Sequence, residues 1–165
     1  MKYKDVSIPK WTLVPGLLTA GGLIGYFLIM KVLNLVEILE LRFLNILILF
    51  AGIILTLNYL RLKTKGQLGY LEGLAVGFFT TLIAVSGFGI FLFIYLSYID
   101  IEFLRYIQTH GWFGDYLTPV TATIAVLLEG ISSGAIITFI TMQYFKRETE
   151  TKFPDKELFG EGNNK

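Results

Sequence analysis

The sequence predicts an all-α protein: a four-helix transmembrane bundle with both termini cytoplasmic and a short interfacial helix in the second external loop. Three observations predict it. Composition comes first: 54% of the 165 residues are hydrophobic and only 16% are charged, with a mean hydropathy of +0.64, the balance of a multi-span membrane protein. Four apolar stretches are each long enough to cross a hydrocarbon core of about 30 Å, which takes about 20 helical residues. Finally, lysine and arginine fall unevenly among the connecting segments, and cytoplasmic segments are the ones that retain positive charge.

The first span is expected from Trp11 to Met30. Pro15 and the Gly21-Gly22 pair interrupt it and no small-residue cleavage site precedes Lys31, so it is read as a retained helix rather than a signal peptide. The next segment, Val32 to Leu41, is apolar apart from Asn34, Glu37 and Glu40, and the two acids, at i,i+3 spacing, form the wet face of an extended helix end. The second span runs from Phe43 to Leu60 and ends in a basic turn of Arg61, Lys63, Lys65 and Gly66. The third is expected from Leu71 to Leu96.

After it, Ile99, Phe103, Tyr106 and Ile107 recur at helical spacing, flanked by Tyr98, Trp112, Phe113 and Tyr116, as in a short helix lying among headgroups. His110 is the only histidine. Beside Trp112 it is an interfacial side chain rather than a metal ligand, because metal sites need several convergent ligands. The fourth span, Pro119 to Phe145, begins with a mechanism: the Thr118 hydroxyl caps the first free amides and Pro119 occupies the first turn, where its missing N–H is harmless. Residues 1–145 thus form the membrane domain and 146–165 a polar cytoplasmic tail.

Eleven cations lie on one side of this arrangement: Lys2, Lys4 and Lys10; Arg61, Lys63 and Lys65; Lys146, Arg147, Lys152, Lys156 and Lys165. Only Lys31, Arg42 and Arg105 lie on the other. The charge bias places both termini in the cytoplasm, and the expected location is a bacterial inner membrane.

Within the fourth span Glu129 is the only acid or base. At membrane depth such a group costs about 2.5–3.5 kcal/mol on insertion scales and is a site hypothesis by default. Sixteen residues separate it from Phe145, a rise of about 24 Å, which leaves it about 6 Å beneath the outer boundary. Arg42 and Asn45 open the second span on that side, so an ion pair with Arg42 or a hydrogen bond with Asn45 would offset the cost. Ser132 and Ser133, one turn deeper, either extend a polar path or bond back to helix carbonyls.

Three GxxxG pairs, Gly21 and Gly25, Gly73 and Gly77, Gly130 and Gly134, mark expected helix contacts, because small residues let backbones approach closely in lipid. The last two pairs sit in a short internal similarity. Leu71-Glu72-Gly73 followed by Gly77 and Thr81 matches Leu128-Glu129-Gly130 followed by Gly134 and Thr138. Inverted repeats build many transporter sites, but the depths argue against one here: Glu72 falls near the inner surface, within reach of Lys146 or Arg147, as a first-turn carboxylate favoured by the helix dipole.

At these residues the chain resembles a family of bacterial four-span membrane proteins of unknown function. The likeness lies in Leu41-Arg42-Phe43-Leu44-Asn45, Tyr70-Leu71-Glu72-Gly73-Leu74-Ala75-Val76-Gly77, Tyr98-Ile99-Asp100 through Phe103, and Leu128-Glu129-Gly130 with Ser133-Gly134. The resemblance implies a four-helix integral membrane fold and no activity.

Composition excludes several classes. There are no cysteines, hence no disulfide, thiolate metal site or iron–sulfur cluster, and a net charge of +1 gives no reason to expect nucleic acid. No HExxH, no aspartate pair and no serine with histidine and acid partners stand in the sequence, so neither an enzyme nor a cofactor is expected. The expected partners are the lipid bilayer and a membrane protein or a second copy of the chain. The favoured class is a non-catalytic accessory or assembly subunit of a larger membrane complex; the alternative is a small oligomeric transporter or channel using Glu129 as a proton or cation site.

Overall fold

The computed structural model describes residues 8–33, 35, 43–64, 69–110 and 114–152. Glu37, Glu40, Arg42, Lys65 and most of the polar tail fall outside the described residues. The described chain forms α1 (Ile8–Val32), α2 (Phe43–Lys63), α3 (Tyr70–Ile94), α4 (Ile101–His110) and α5 (Pro119–Lys152). No strand occurs among the described residues, and α1, α2, α3 and α5 are each long and apolar enough to cross a membrane. This is an all-α four-helix bundle of multi-pass membrane type. α5 continues without a break past Phe145 to Lys152, so the first residues of the expected tail are helical.

Helix α3 is the axis of the bundle. It packs extensively on α1 and on α5, and α2 touches all three, whereas α1 and α5 hardly meet. The arrangement is a rhombus with α2 and α3 on its short diagonal. Coverage follows: α3 is the most buried of the four spans and α5 the least. One core contains Leu49, Ile53 and Leu57 of α2, Val76, Ala84 and Val85 of α3, and Ile137 and Met142 of α5.

A second core sits at the far end, where α3 gives way to a π-helical turn, Tyr95–Ile99, and then to α4. There Leu92, Tyr95 and Leu96 pack on Phe103 and Leu104 of α4. Phe27 of α1 stands at its centre, edge-on to Phe88, Phe91, Tyr95 and Phe103 at centroid distances of 5.1–6.4 Å, in the T-shaped geometry that aromatic quadrupoles favour. The start of α5 is built as its sequence predicts. The Thr121 amide donates to Thr118 Oγ1 at 3.1 Å and the Thr118 amide donates to Thr121 Oγ1 at 2.8 Å, so the two hydroxyls satisfy donors at the helix start reciprocally. Gln108 Nε2 donates to the Leu117 carbonyl at 2.6 Å and ties α4 to that start.

Candidate functional site

The α3–α5 seam is built from glycine facing threonine. A methyl group added at Gly77 would collide with the Thr138 side chain, with Oγ1 at 2.7 Å, and one added at Gly134 would collide with Thr81, with Oγ1 at 2.5 Å. Gly130 meets Val85 and Gly89 meets Leu127 in the same way. Residue numbers rise along α3 as their partners fall along α5, so the helices are antiparallel. The hydroxyl of Thr81 donates to the Gly77 carbonyl at 2.9 Å, which satisfies it within its own helix and turns the rest of the side chain across the seam. Thr138 is also buried, but its hydroxyl has no hydrogen bond among the described residues. It lies against the Gly77 backbone, where a glycine Cα–H is a weak donor.

The contacts are reciprocal: Gly77 with Thr138, Gly134 with Thr81. These are the residues equated by the internal similarity, in which Gly77 matches Gly134 and Thr81 matches Thr138. The two segments are therefore related by a local pseudo-twofold axis lying across the helices. The expectation that unequal depths rule out an inverted relation is corrected by this geometry. An axis in the membrane plane exchanges the two ends of the slab, so equivalent residues such as Glu72 and Glu129 must lie at opposite depths.

The remaining predicted residues are placed as follows. Gly73 is buried on α3. Among the described residues Gly21 and Gly25 meet nothing within 4 Å of an added methyl; on α1 the close approaches come instead from Gly16 against Ile83 and, across from Thr19, from Gly52 of α2. Glu129 is exposed on α5 beside exposed Leu128 and Ser132. Asn45 is half-buried on α2, and its side-chain oxygen is buried without a hydrogen bond among the described residues. Arg42 lies outside those residues, and with it the ion pair expected with Glu129. Glu72 is half-buried in the first turn of α3, Lys146 is exposed on α5, and Arg147 follows in the same helix.

A polar cluster that the sequence did not single out occupies the α4 end. Lys31 Nζ, in the last turn of α1, lies 2.6 Å from Asp100 Oδ2, with the two side chains 33% and 16% exposed. Asp100 Oδ1 accepts the Phe103 amide at 2.9 Å, which makes Asp100 the N-cap of α4. Tyr95 OH donates to Oδ2 at 3.2 Å, and Lys31 Nζ sits 4.6 Å above the Phe103 ring. Each charge also stands at the helix end that suits it, Lys31 at a carboxyl terminus and Asp100 at an amino terminus. Burial pushes the Asp100 carboxyl up, but the Lys31 ammonium, the Phe103 amide and the Tyr95 hydroxyl outweigh it and hold the group below its ordinary value.

The π-turn makes this convergence possible. Its Asp100 N–H to Tyr95 carbonyl bond of 3.0 Å spans five residues, and the wider turn carries the side chains of Tyr95 and Asp100 to the same point. One signal was readable in the sequence: an aspartate immediately before the amphipathic run from Ile101 to Thr109, which is an N-cap pattern. Its partner 69 positions away was not.

Compared with known protein families, curated proteins and solved structures, the chain matches none. No family is shown by these comparisons, and no activity is transferred from one.

Proposed function

We propose that this protein is a non-catalytic accessory or assembly subunit of a larger complex in the bacterial inner membrane, with both termini cytoplasmic. The observation that carries this reading is the uneven coverage of the bundle. α5 is the least covered span, and its exposed residues include Leu128, Ile136, Phe139 and Ile140 together with Glu129, Ser132 and Gln143. Polar groups on an exposed helix surface at membrane depth favour a protein neighbour over acyl chains. The closed α3–α5 seam argues in the same direction, because glycine–threonine contact leaves no width for a permeation path between those helices.

A photo-reactive residue placed at Ile136 should form a protein adduct of defined mass in native membranes, and one at Leu18 of α1 should not. Co-purification in mild detergent then identifies the partner, and Ile136→Trp should abolish its recovery. Adducts with lipid alone at Ile136 would overturn the reading. Reporters active only in the cytoplasm should work after Lys65 or Lys165 and fail near His110; activity at His110 would reverse the topology.

The pseudo-twofold relation of α3 and α5 favours one second reading, a small oligomeric transporter in which Glu129 handles protons or cations, since transporters use inverted repeats. It requires that liposomes carrying the purified protein conduct ions and that Glu129→Gln abolish the conduction.

A further inference from the structure

The two ends of the bundle hold the same chemical device with one part missing. At the α4 end, a lysine ammonium lies over an aromatic ring and is paired with a carboxylate: Lys31 over Phe103 with Asp100. At the opposite end, Lys63 Nζ lies 4.5 Å from the centroid of the Trp11 ring and 5.2 Å from that of Tyr59. The two rings are themselves 6.2 Å apart and come from different helices, α1 and α2. Lys63 is exposed, and the described residues give it no salt bridge. The π-faces attract its charge, yet an ammonium has three N–H donors and rings beneath it satisfy few of them.

Other cations neighbour Lys63 along the chain. Arg61 is two residues away, with its guanidinium 4.8 Å over Phe145 of α5 on the other flank of α2. In the sequence Lys10 precedes Trp11 and Lys65 follows Lys63 by two. The cluster also has a defined depth. Trp11 begins the apolar length of α1 and Lys63 ends that of α2, so the rings stand where tryptophan and tyrosine collect, at the boundary of hydrocarbon and headgroups.

We infer that Lys63, seated on Trp11 and Tyr59, is a binding site for the phosphate of an anionic phospholipid in the leaflet facing the α2–α3 turn. A phosphate oxygen would take the place that Asp100 Oδ2 holds beside Lys31, completing at this end with lipid what the other end completes with protein. Lipid is the source because the ammonium lies at headgroup level and the rings beneath it face the start of the acyl chains. The site is independent of the proposed role as a complex subunit.

Trp11 is its own reporter once Trp112, the only other tryptophan, is replaced by Phe. The Trp112→Phe protein is reconstituted in phosphatidylcholine vesicles containing phosphatidylglycerol, with bromine on the acyl chains of one lipid or the other. Brominated phosphatidylglycerol should quench Trp11 at an about fivefold lower mole fraction than brominated phosphatidylcholine, the ratio expected for one cation beside an anionic headgroup. Lys63→Gln should remove that preference and Lys63→Arg should keep it. Lys146→Gln removes the same charge from the same end of the bundle and should leave it unchanged; helical circular dichroism confirms that each variant is folded, and Lys63→Met replaces any that is not.

Equal quenching by the two lipids would overturn the site. So would an equal loss in Lys146→Gln, which would mean diffuse surface attraction. Loss of the preference on adding millimolar inorganic phosphate would reassign it to a soluble anion.

Discussion

The α3–α5 seam and the α4-end cluster both fasten α3 to a neighbour, by opposite physical means. The seam contains no charge and depends on missing volume: glycine hydrogens where any other residue would place carbon, with threonine side chains filling the space. The α4 end depends on charge and direction: one ion pair, one helix cap and one hydroxyl, supported by the rings around Phe27. Inside an apolar slab no hydrophobic force draws helices together, so close contact must supply the attraction. At the rim, headgroups and water make charges inexpensive, and polar groups can fix where a helix ends and the next begins.

The largest expected effect comes from filling the seam. Gly134→Leu must separate α3 from α5 and should destabilise the bundle by about 3 kcal/mol, the upper range for overpacking. Measured by unfolding in mixed micelles, this loss should be insensitive to pH and salt. Gly21→Leu adds the same side chain where, among the described residues, nothing lies within 4 Å of the first added carbon, and should cost no more than the few tenths of a kcal/mol usual for an open surface position. Equal costs would mean that the seam is looser than its geometry, or that the open face of α1 is used by another chain.

The same contrast explains what the sequence disclosed. The spans were legible because apolar length is a one-dimensional property. Much of the seam was legible because Gly77, Gly130 and Gly134 carry a spacing that survives in one dimension; the similarity around them was visible too, but the depth argument discounted it and no contact was read from it. What failed was the inference from depth, since an axis in the membrane plane is a three-dimensional relation. The α4-end cluster was illegible for a different reason. Lys31 looked like one more external cation and Asp100 fell inside the short helix expected from Ile99, and no periodicity links positions so far apart. A π-turn, which no short motif announces, brings Asp100 against both Tyr95 and Lys31.

Breaking the α4 end should cost less than filling the seam, and in separable parts. Asp100→Ala removes both cap and charge and should destabilise by about 2 kcal/mol, about half from each. Asp100→Asn retains a good cap and removes the charge, and should cost about 1 kcal/mol. If the two variants are equal, the cap contributes nothing and α4 is held by the packing of Phe103 and Leu104 alone.

A double-mutant cycle isolates the ion pair more finely. Lys31→Met keeps an apolar stem over Phe103 while removing the ammonium. Combined with Asp100→Asn it should show a coupling of about 1 kcal/mol at low salt that shrinks as salt is raised, because the pair is partly exposed. The same cycle between Lys31 and Gly134 should show no coupling. Energy shared between those distant positions would mean that the seam and the rim act as one unit.

The smallest effect is the dependence of the α4 end on pH, and its sign follows from the direction of one shift. The Asp100 carboxyl is held below its ordinary value, so the folded state binds its proton less readily than the unfolded chain does. The stabilisation is then fully present above the unfolded value, about pH 4, and is lost as pH falls through the lower folded value. Stability should therefore stay level from about pH 7 to about pH 5 as far as Asp100 is concerned, and decline only below that. Asp100→Asn should flatten the acid limb and Gly134→Leu should lower the whole curve without changing its shape. A decline centred above pH 5 that disappears in Asp100→Asn would reverse the sign of the shift and mean that desolvation, not Lys31, governs this carboxylate.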